Sequence, residues 1–209
     1  MLRKVLIGLA ALVVVLLAVI ATRPSTYRVE RSTRIGAPPD VVFGLVNDFH
    51  AWDRWSPWAK LDPTMKTTYG GPPSGVGASY AWNGDAKVGE GNMRITESRP
   101  AQKVGIRLEF IKPMAGLVQT DFSFRPEAGA TQVSWAMSGT NDFLGKAFSL
   151  FADMDAMIGK DFEKGLAAMR TEAEAEARRR AEAAAASTAS TPPGAATALD
   201  PAAAPAPAR

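Results

Sequence analysis

Alternating apolar and polar positions through the middle of the chain predict a domain built mainly from β-strands. After Pro63 this period of two recurs in six segments, which predict strands at 65–69, 77–82, 88–97, 103–111, 117–124 and 131–138. A further strand is predicted at 27–35, where one face carries Tyr27, Val29, Arg31, Thr33 and Ile35. Short turn-forming segments separate the later strands, so neighbours in sequence are expected to pair antiparallel.

A period of three to four residues predicts helices on both sides of these strands. Pro38 and Pro39 suit a first helical turn, and the apolar stripe that follows them is Val42, Leu45, Val46 and Phe49. A second stripe predicts one long helix over about 143–180, through Phe148, Phe151, Met154, Ile158, Phe162, Leu166 and Met169. Gly159 and Gly165 cost such a helix about 1 kcal/mol each relative to alanine. They indicate either a close backbone approach or a gap.

This order of elements predicts an α+β fold in which a curved antiparallel sheet of six to seven strands surrounds a long C-terminal helix. One helix cannot cover the whole inner face of so large a sheet. An apolar cavity between sheet and helix is therefore expected.

The two ends of the chain differ from the predicted domain, which we place at 24–172. Residues 5–21 are apolar, and we predict an N-terminal membrane anchor over 1–23, with a secretory signal cleaved after Ala21 as the alternative. The flanking Lys and Arg residues favour an extracytoplasmic, periplasmic domain on a single-pass membrane protein. Residues 173–186 predict a charged, alanine-rich helical extension, and 187–209 predict a disordered tail.

Composition excludes several kinds of chemistry. The net charge is +3 and the basic residues are dispersed, which argues against a nucleic-acid partner. With no cysteine and a single histidine, the chain lacks the ligands of a usual zinc site, and it cannot form a disulfide. We expect no metal, no cofactor and no catalytic residue.

The segment HAWDRWSPW, at 50–58, concentrates aromatic side chains. At a spacing of three, Trp52, Trp55 and Trp58 form one helical stripe. The favoured interpretation is that they close the core; the alternatives are contact with a ligand at a pocket mouth and a belt at the lipid headgroups. His50 is interpreted as a solvated turn residue beside Asp48, with a general base as the alternative.

In-phase positions on the predicted strands and helix supply the candidate lining of the cavity. Methionines among them can adapt to ligands of varied shape. The candidates are Trp55, Trp58, Tyr80, Trp82, Met93, Ile95, Phe110, Phe122, Trp135, Met137, Phe151, Met154 and Ile158. Glu97 is in phase with Met93 and Ile95. It could orient a polar ligand group, or it could lie at the solvated end of its strand beside Arg99.

The segment RVERSTRIGAPPDVVFGLVNDFHAWDRWSPW, followed by GEGNMRI and later by FEKGL, resembles the START-like superfamily and, within it, bacterial polyketide cyclase/dehydrase-type SRPBCC proteins. The resemblance covers 27–169. It implies a helix-grip fold with a deep pocket for hydrophobic ligands, in a superfamily that includes lipid carriers, plant hormone receptors and aromatase/cyclases.

We therefore predict a membrane-tethered binding module for a small apolar or amphipathic ligand, such as a lipid or a polyketide-like molecule. Two alternatives remain. One is a cyclase or dehydratase-like enzyme, and the other is a non-catalytic structural or interaction protein.

Overall fold

Seven strands form one antiparallel sheet in the computed structural model, which describes residues 1–151 and 153–189. The strand order is β1-β7-β6-β5-β4-β3-β2. The strands are β1 (Thr26–Ile35), β2 (Lys66–Gly70), β3 (Ser79–Asn83), β4 (Glu90–Arg99), β5 (Lys103–Lys112), β6 (Gly116–Glu127) and β7 (Ala130–Thr140). The predicted antiparallel succession of β2 to β7 is confirmed, and β1 joins it by pairing with β7.

The helices are α1 (Leu2–Thr22), α2 (Pro39–Asn47), α3 (Phe143–Phe148) and α4 (Met154–Ala189), with a 3₁₀ helix at Phe49–Arg54. The predicted helix-grip architecture is confirmed: α4 lies against the inner face of the sheet at β1. Its buried side chains are Phe162, Leu166, Met169 and Ala173.

Ion pairs and small residues hold α4 close to β1. The guanidinium of Arg31 donates to Asp155 Oδ2 at 2.8 Å and to Glu163 Oε1 at 2.9 Å. Further along, the backbone N–H of Gly36 donates to Glu174 Oε1 at 3.0 Å. A side chain on Gly159 would collide with the Arg31 guanidinium. At this glycine the close-approach interpretation is therefore confirmed.

The helices cover only part of the sheet. At about 1.5 Å per residue, the nine residues of α2 span about 13 Å, whereas the twelve residues of β6 span about 40 Å. Because α4 runs from Arg31 towards Gly36, it covers the same end of the sheet as α2, which follows β1. We call this covered part the closed half. The open half is the end at which β1 and β6 begin and β5 and β7 end.

The prediction of one continuous helix over 143–180 is wrong. Asp142 Oδ1 accepts a hydrogen bond from the Gly145 N–H at 2.7 Å, and Asp153 Oδ1 accepts one from the Ala156 N–H at 3.0 Å. Each of these carboxylates therefore caps the start of a separate helix. The prediction failed because the spacing of apolar residues continues across the break between α3 and α4. On the α3 side of the break, Phe148 and Phe151 are exposed.

The C-terminal prediction concerns residues of which only some are described. The 173–186 segment is helical, as part of α4, and the helix continues to Ala189. The rest of the predicted tail, 190–209, lies outside the described residues.

The N-terminal helix α1 is long and apolar enough to cross a membrane, a property that membrane anchors and secretory signals share. Three residues, 23–25, connect it to β1.

Candidate ligand-binding site

A cavity of about 1480 Å³ occupies the open half of the fold. Its walls are the inner faces of β3 to β7, the segment around the 3₁₀ helix, α3 and the first turns of α4. The cavity exists because α2 and most of α4 cover the other half of the sheet, leaving α3 and the first turns of α4 over this one.

Most of the predicted lining residues meet at this cavity. Its wall includes Trp58, Tyr80, Trp82, Met93, Phe110, Trp135, Met137, Phe151, Met154 and Ile158. The structure places Trp55, Ile95 and Phe122 elsewhere: all three are at most 1% exposed and belong to the packed core. Ile95 and Phe122 share the inner face of the sheet with lining residues, whereas Trp55 follows the 3₁₀ helix and bonds to α2.

Two tryptophans of the stripe bond to the last turn of α2 and close the core. The indole N–H of Trp52 donates to the Val46 carbonyl at 3.0 Å, and that of Trp55 donates to the Leu45 carbonyl at 2.8 Å. These carbonyls are in the last turn of α2, where a helix leaves acceptors without an internal partner. Trp58 is half-buried and meets the ring of Trp135 edge-on, with centroids 5.7 Å apart.

Two buried polar atoms in the cavity wall have no hydrogen-bond partner among the described residues: Thr120 Oγ1 and Trp135 Nε1. Thr120 pairs with Met137 across β6 and β7, and Phe122 pairs with Trp135, so the two side chains are diagonal neighbours on the inner face. A buried donor or acceptor without a partner typically costs about 1–3 kcal/mol. Both atoms are closed off from solvent, so a ligand group in the cavity would reach them only after a shift of the neighbouring side chains.

The remaining polar groups leave the deep wall uncharged. Burial raises the pKa of Tyr27, and burial together with Tyr69 and Asp53 raises the pKa of Tyr80 to about 12, so both phenols are neutral near pH 7. The wall also includes the charged residues Asp53, Lys87, Lys112, Asp142 and Asp161. Four of these lie on connecting segments or helices, and Lys112, the last residue of β5, pairs with Glu90 at 2.7 Å.

Comparison with known families identifies the fold independently. Residues 26–174 match the family described as polyketide cyclase / dehydrase and lipid transport. The chain belongs to this family. No curated protein matches it.

Solved structures similar to this family member agree on the fold. Protein CV1439 from Chromobacterium violaceum is 17% identical, with a TM-score of 0.51 over 72% of this chain and 97% of that one. The Aha1 dimer from Colwellia psychrerythraea is 14% identical, with a TM-score of 0.51 over 71% and 96% of the two chains. The di-domain ARO/CYC BexL from the BE-7585A biosynthetic pathway is 16% identical, with a TM-score of 0.52 over 75% and 53%. At these identities the likeness shows the fold alone.

Two residues considered for chemistry lie away from the cavity wall. His50 stacks on Tyr69 with ring centroids 4.1 Å apart, and its Nδ1 is 2.9 Å from Asp48 Oδ1. Glu97 accepts hydrogen bonds from Lys103 at 2.7 Å and from Arg99 at 2.6 Å, and these two cations lower its pKa. A register shift between Ile95 and Glu97 ends the alternation on which its inward phase was based.

Sequence reasoning missed several residues of the wall. Thr120 is in phase with Phe122, so the same period-two pattern could have found it, but only apolar residues were selected. Met114 and Leu144 follow turn or cap positions that carry no periodic signal. Val118 and Phe148 also lie outside the candidate set. Ile106, Leu108 and Met157 line the wall in the inward phase that the patterns predict, and Trp52 lines it in agreement with the alternative of ligand contact.

Proposed function

We propose that this family member is a membrane-anchored module that binds one small hydrophobic or amphipathic ligand in the cavity of the open half. The cavity is the observation that carries the proposal. Its volume of about 1480 Å³ exceeds the roughly 300–1,000 Å³ of common ligand pockets, so it has room for a small molecule. Its aromatic and thioether side chains suit a lipid-like or polyketide-like molecule.

The membrane part of the proposal depends on α1. Its 21 residues are enough to span about 30 Å of hydrocarbon. Only one of them, Ile20, is buried in the fold, so the helix contributes little to the domain core. We propose that α1 is retained as an anchor, with the domain on the extracytoplasmic side.

Thr120 and Trp135 narrow the chemistry of the ligand. An indole N–H can only donate a hydrogen bond, whereas a hydroxyl can donate or accept. The group that satisfies both must therefore be an acceptor, and the uncharged wall favours a neutral one such as a carbonyl or ester oxygen. The proposed ligand is apolar over most of its length and carries one such group.

A cyclase or dehydratase-like activity is the second candidate. The family description includes such enzymes, and Asp53 and Asp161 supply carboxylates at the cavity. Proton transfer near neutral pH needs a group whose pKa lies near that pH. Tyr80, at about 12, can donate a hydrogen bond but is a poor base.

The test begins with native mass spectrometry of full-length protein released from detergent, to detect a bound small molecule. Titration with Nile red then measures binding to the apolar cavity. Leu108→Trp narrows the cavity from its wall and should weaken probe binding, whereas Val76→Trp, on an exposed loop outside the cavity, should not. Met154→Ala enlarges the cavity and should change probe affinity with little loss of stability. Wild-type protein that binds neither a native ligand nor the probe would contradict the proposal.

A further inference from the structure

Exposed apolar side chains cluster around the mouth of the cavity. On the β5–β6 connection and its flanks, on α3, and at the start of α4 these are Ile111, Met114, Leu117, Phe143, Leu144, Phe148, Phe151 and Met157, each at least 43% exposed. We call this set the apolar rim. In the described residues that follow α1, the other large hydrophobic side chains with comparable exposure are Leu61 and Val76. An apolar patch of this kind usually marks an interaction site.

The apolar helix α1 joins the domain at the same end. Its three-residue connection to β1 can span only about 10 Å, and β1 begins in the open half. The connection is also held in place. The Arg23 guanidinium donates to the Ser149 carbonyl at 3.2 Å, and the Asn141 N–H donates to the Ser25 carbonyl at 2.8 Å. Both partners flank α3, which carries part of the rim.

We infer that the apolar rim rests on the bilayer that α1 crosses, so that the cavity opens directly into the lipid phase. The inference rests on the proposed anchor. A tether of about 10 Å holds the rim near the membrane surface, where phenylalanine and leucine side chains enter the boundary between headgroups and acyl chains. Lys146 lies on α3, and its long side chain can reach the headgroups; Lys112, also on the rim, pairs with Glu90 at 2.7 Å.

This arrangement defines the route of the ligand. An apolar molecule that leaves the bilayer through the rim reaches the cavity, whose wall includes Thr120 and Trp135, without crossing water. Membrane-dissolved molecules with one neutral polar group are therefore the expected ligand class. A second copy of the chain covering the rim is the competing arrangement.

The absence of cysteine allows a direct test, because any introduced cysteine is unique. One variant is Phe143→Cys, on the rim but not in the cavity wall. The other is Val76→Cys, at the opposite end of the sheet. The two native residues are similarly exposed, at 53% and 59%. Each full-length variant is labelled with the fluorophore NBD and reconstituted into phosphatidylcholine vesicles containing doxyl-labelled lipid. NBD at 143 should emit at shorter wavelength and be quenched, whereas NBD at 76 should show neither effect.

Two results would overturn the inference. One is equal quenching, or none, at the two positions. The other is an NBD emission at 143 that shifts to shorter wavelength as the protein-to-lipid ratio rises but is not quenched by doxyl-labelled lipid. That result would indicate that a second copy of the chain covers the rim.

A transfer assay separates this inference from the proposed function. The double variant Ile111→Glu, Phe143→Glu adds charge to the rim at two residues outside the cavity wall. Uptake of a fluorescent fatty acid ester from vesicles should slow several-fold, whereas Nile red added from solution should bind with unchanged affinity. Val76→Glu is the matched control and should change neither. If wild-type protein fails to bind Nile red, the proposed function fails. If binding is normal and the double variant takes up the ester at the wild-type rate, the rim inference alone fails.

Discussion

Trp55 in the closed half and Phe151 in the open half are both large aromatic residues on apolar stripes, yet their environments are opposite. Trp55 is 1% exposed, with Trp52, Phe122 and Trp135 around it. Phe151 is 86% exposed at the cavity mouth. The difference arises from which elements cover the sheet, since α2 and most of α4 lie over the closed half and only the first turns of α4 border the cavity. An apolar side chain on this sheet or its helices therefore belongs to the core where a helix packs over it, and to a binding surface where none does.

The comparison also separates stability from binding. Side chains of the closed half contact other protein atoms on all sides, so their loss should act on folding. Those of the open half face a cavity or solvent, so their loss should act on the ligand or the membrane. Each variant below tests one side of this division.

The largest effect is expected for Trp55→Ala. Truncation of a buried aromatic side chain typically lowers the free energy of unfolding by about 3–5 kcal/mol, and here it also leaves the Leu45 carbonyl without its indole donor. Urea denaturation followed by circular dichroism measures the loss. Phe151→Ala is the control from the open half, and it should stay within about 0.5 kcal/mol of wild type, as exposed substitutions usually do. Similar losses for the two variants would break the comparison.

The second effect tests how tightly α4 fits over the closed half. A Cβ on Gly165 would lie 2.8 Å from Trp135 Cζ3 and 3.1 Å from Pro57 Cδ. Overpacking of this kind typically costs about 1–3 kcal/mol, so Gly165→Ala should lower the melting temperature. Gly44→Ala, in α2 with no neighbour within 4 Å, should instead stabilise the protein by up to about 1 kcal/mol. A stabilising Gly165→Ala would show that α4 packs more loosely than the structure indicates.

These glycines illustrate what the sequence could predict. A glycine within a helical stripe indicated either a close approach or a gap, and the period of two located the ends of all seven strands to within about three residues. The stripe of α4 did not reveal the break before Met154, because Asp153 resembles any exposed helical polar residue until its capping bond is seen. Alternation predicted which side chains point inward. It could not predict which inward side chains α2 and α4 would cover, so Trp55, Ile95 and Phe122 could not be told apart from the cavity wall.

A smaller effect, this time on the ligand, is expected for Thr120→Val. The substitution keeps the side-chain shape and removes a hydroxyl without a partner, so unfolding free energy should stay equal or rise by about 1 kcal/mol. Affinity for a carbonyl-bearing ligand should fall about tenfold, the equivalent of one hydrogen bond, while binding of the pure hydrocarbon probe diphenylhexatriene, which has no acceptor, stays the same.

Thr131→Val is the matched control for this prediction. Thr131 is equally buried, but its hydroxyl donates to the Ala37 carbonyl at 2.7 Å, away from the cavity wall. This variant should lose about 1 kcal/mol of stability with ligand affinity unchanged. If Thr120→Val binds the carbonyl-bearing ligand as tightly as wild type, the proposed polar contact does not exist.

The smallest effect is expected for His50→Ala. This variant tests whether a catalytic residue lies outside both the packed core of the closed half and the cavity of the open half. The imidazole is exposed and stacks on Tyr69, and the capping bond from the His50 backbone N–H to Asp48 Oδ1, 2.8 Å long, does not need the side chain. Unfolding free energy should therefore change by no more than about 0.5 kcal/mol, and probe affinity should not change, because His50 is not part of the cavity wall. Denaturation and Nile red titration check both expectations. A well-folded His50→Ala protein that lost turnover of a polyketide-like substrate would favour the enzyme hypothesis and place its chemistry outside the cavity.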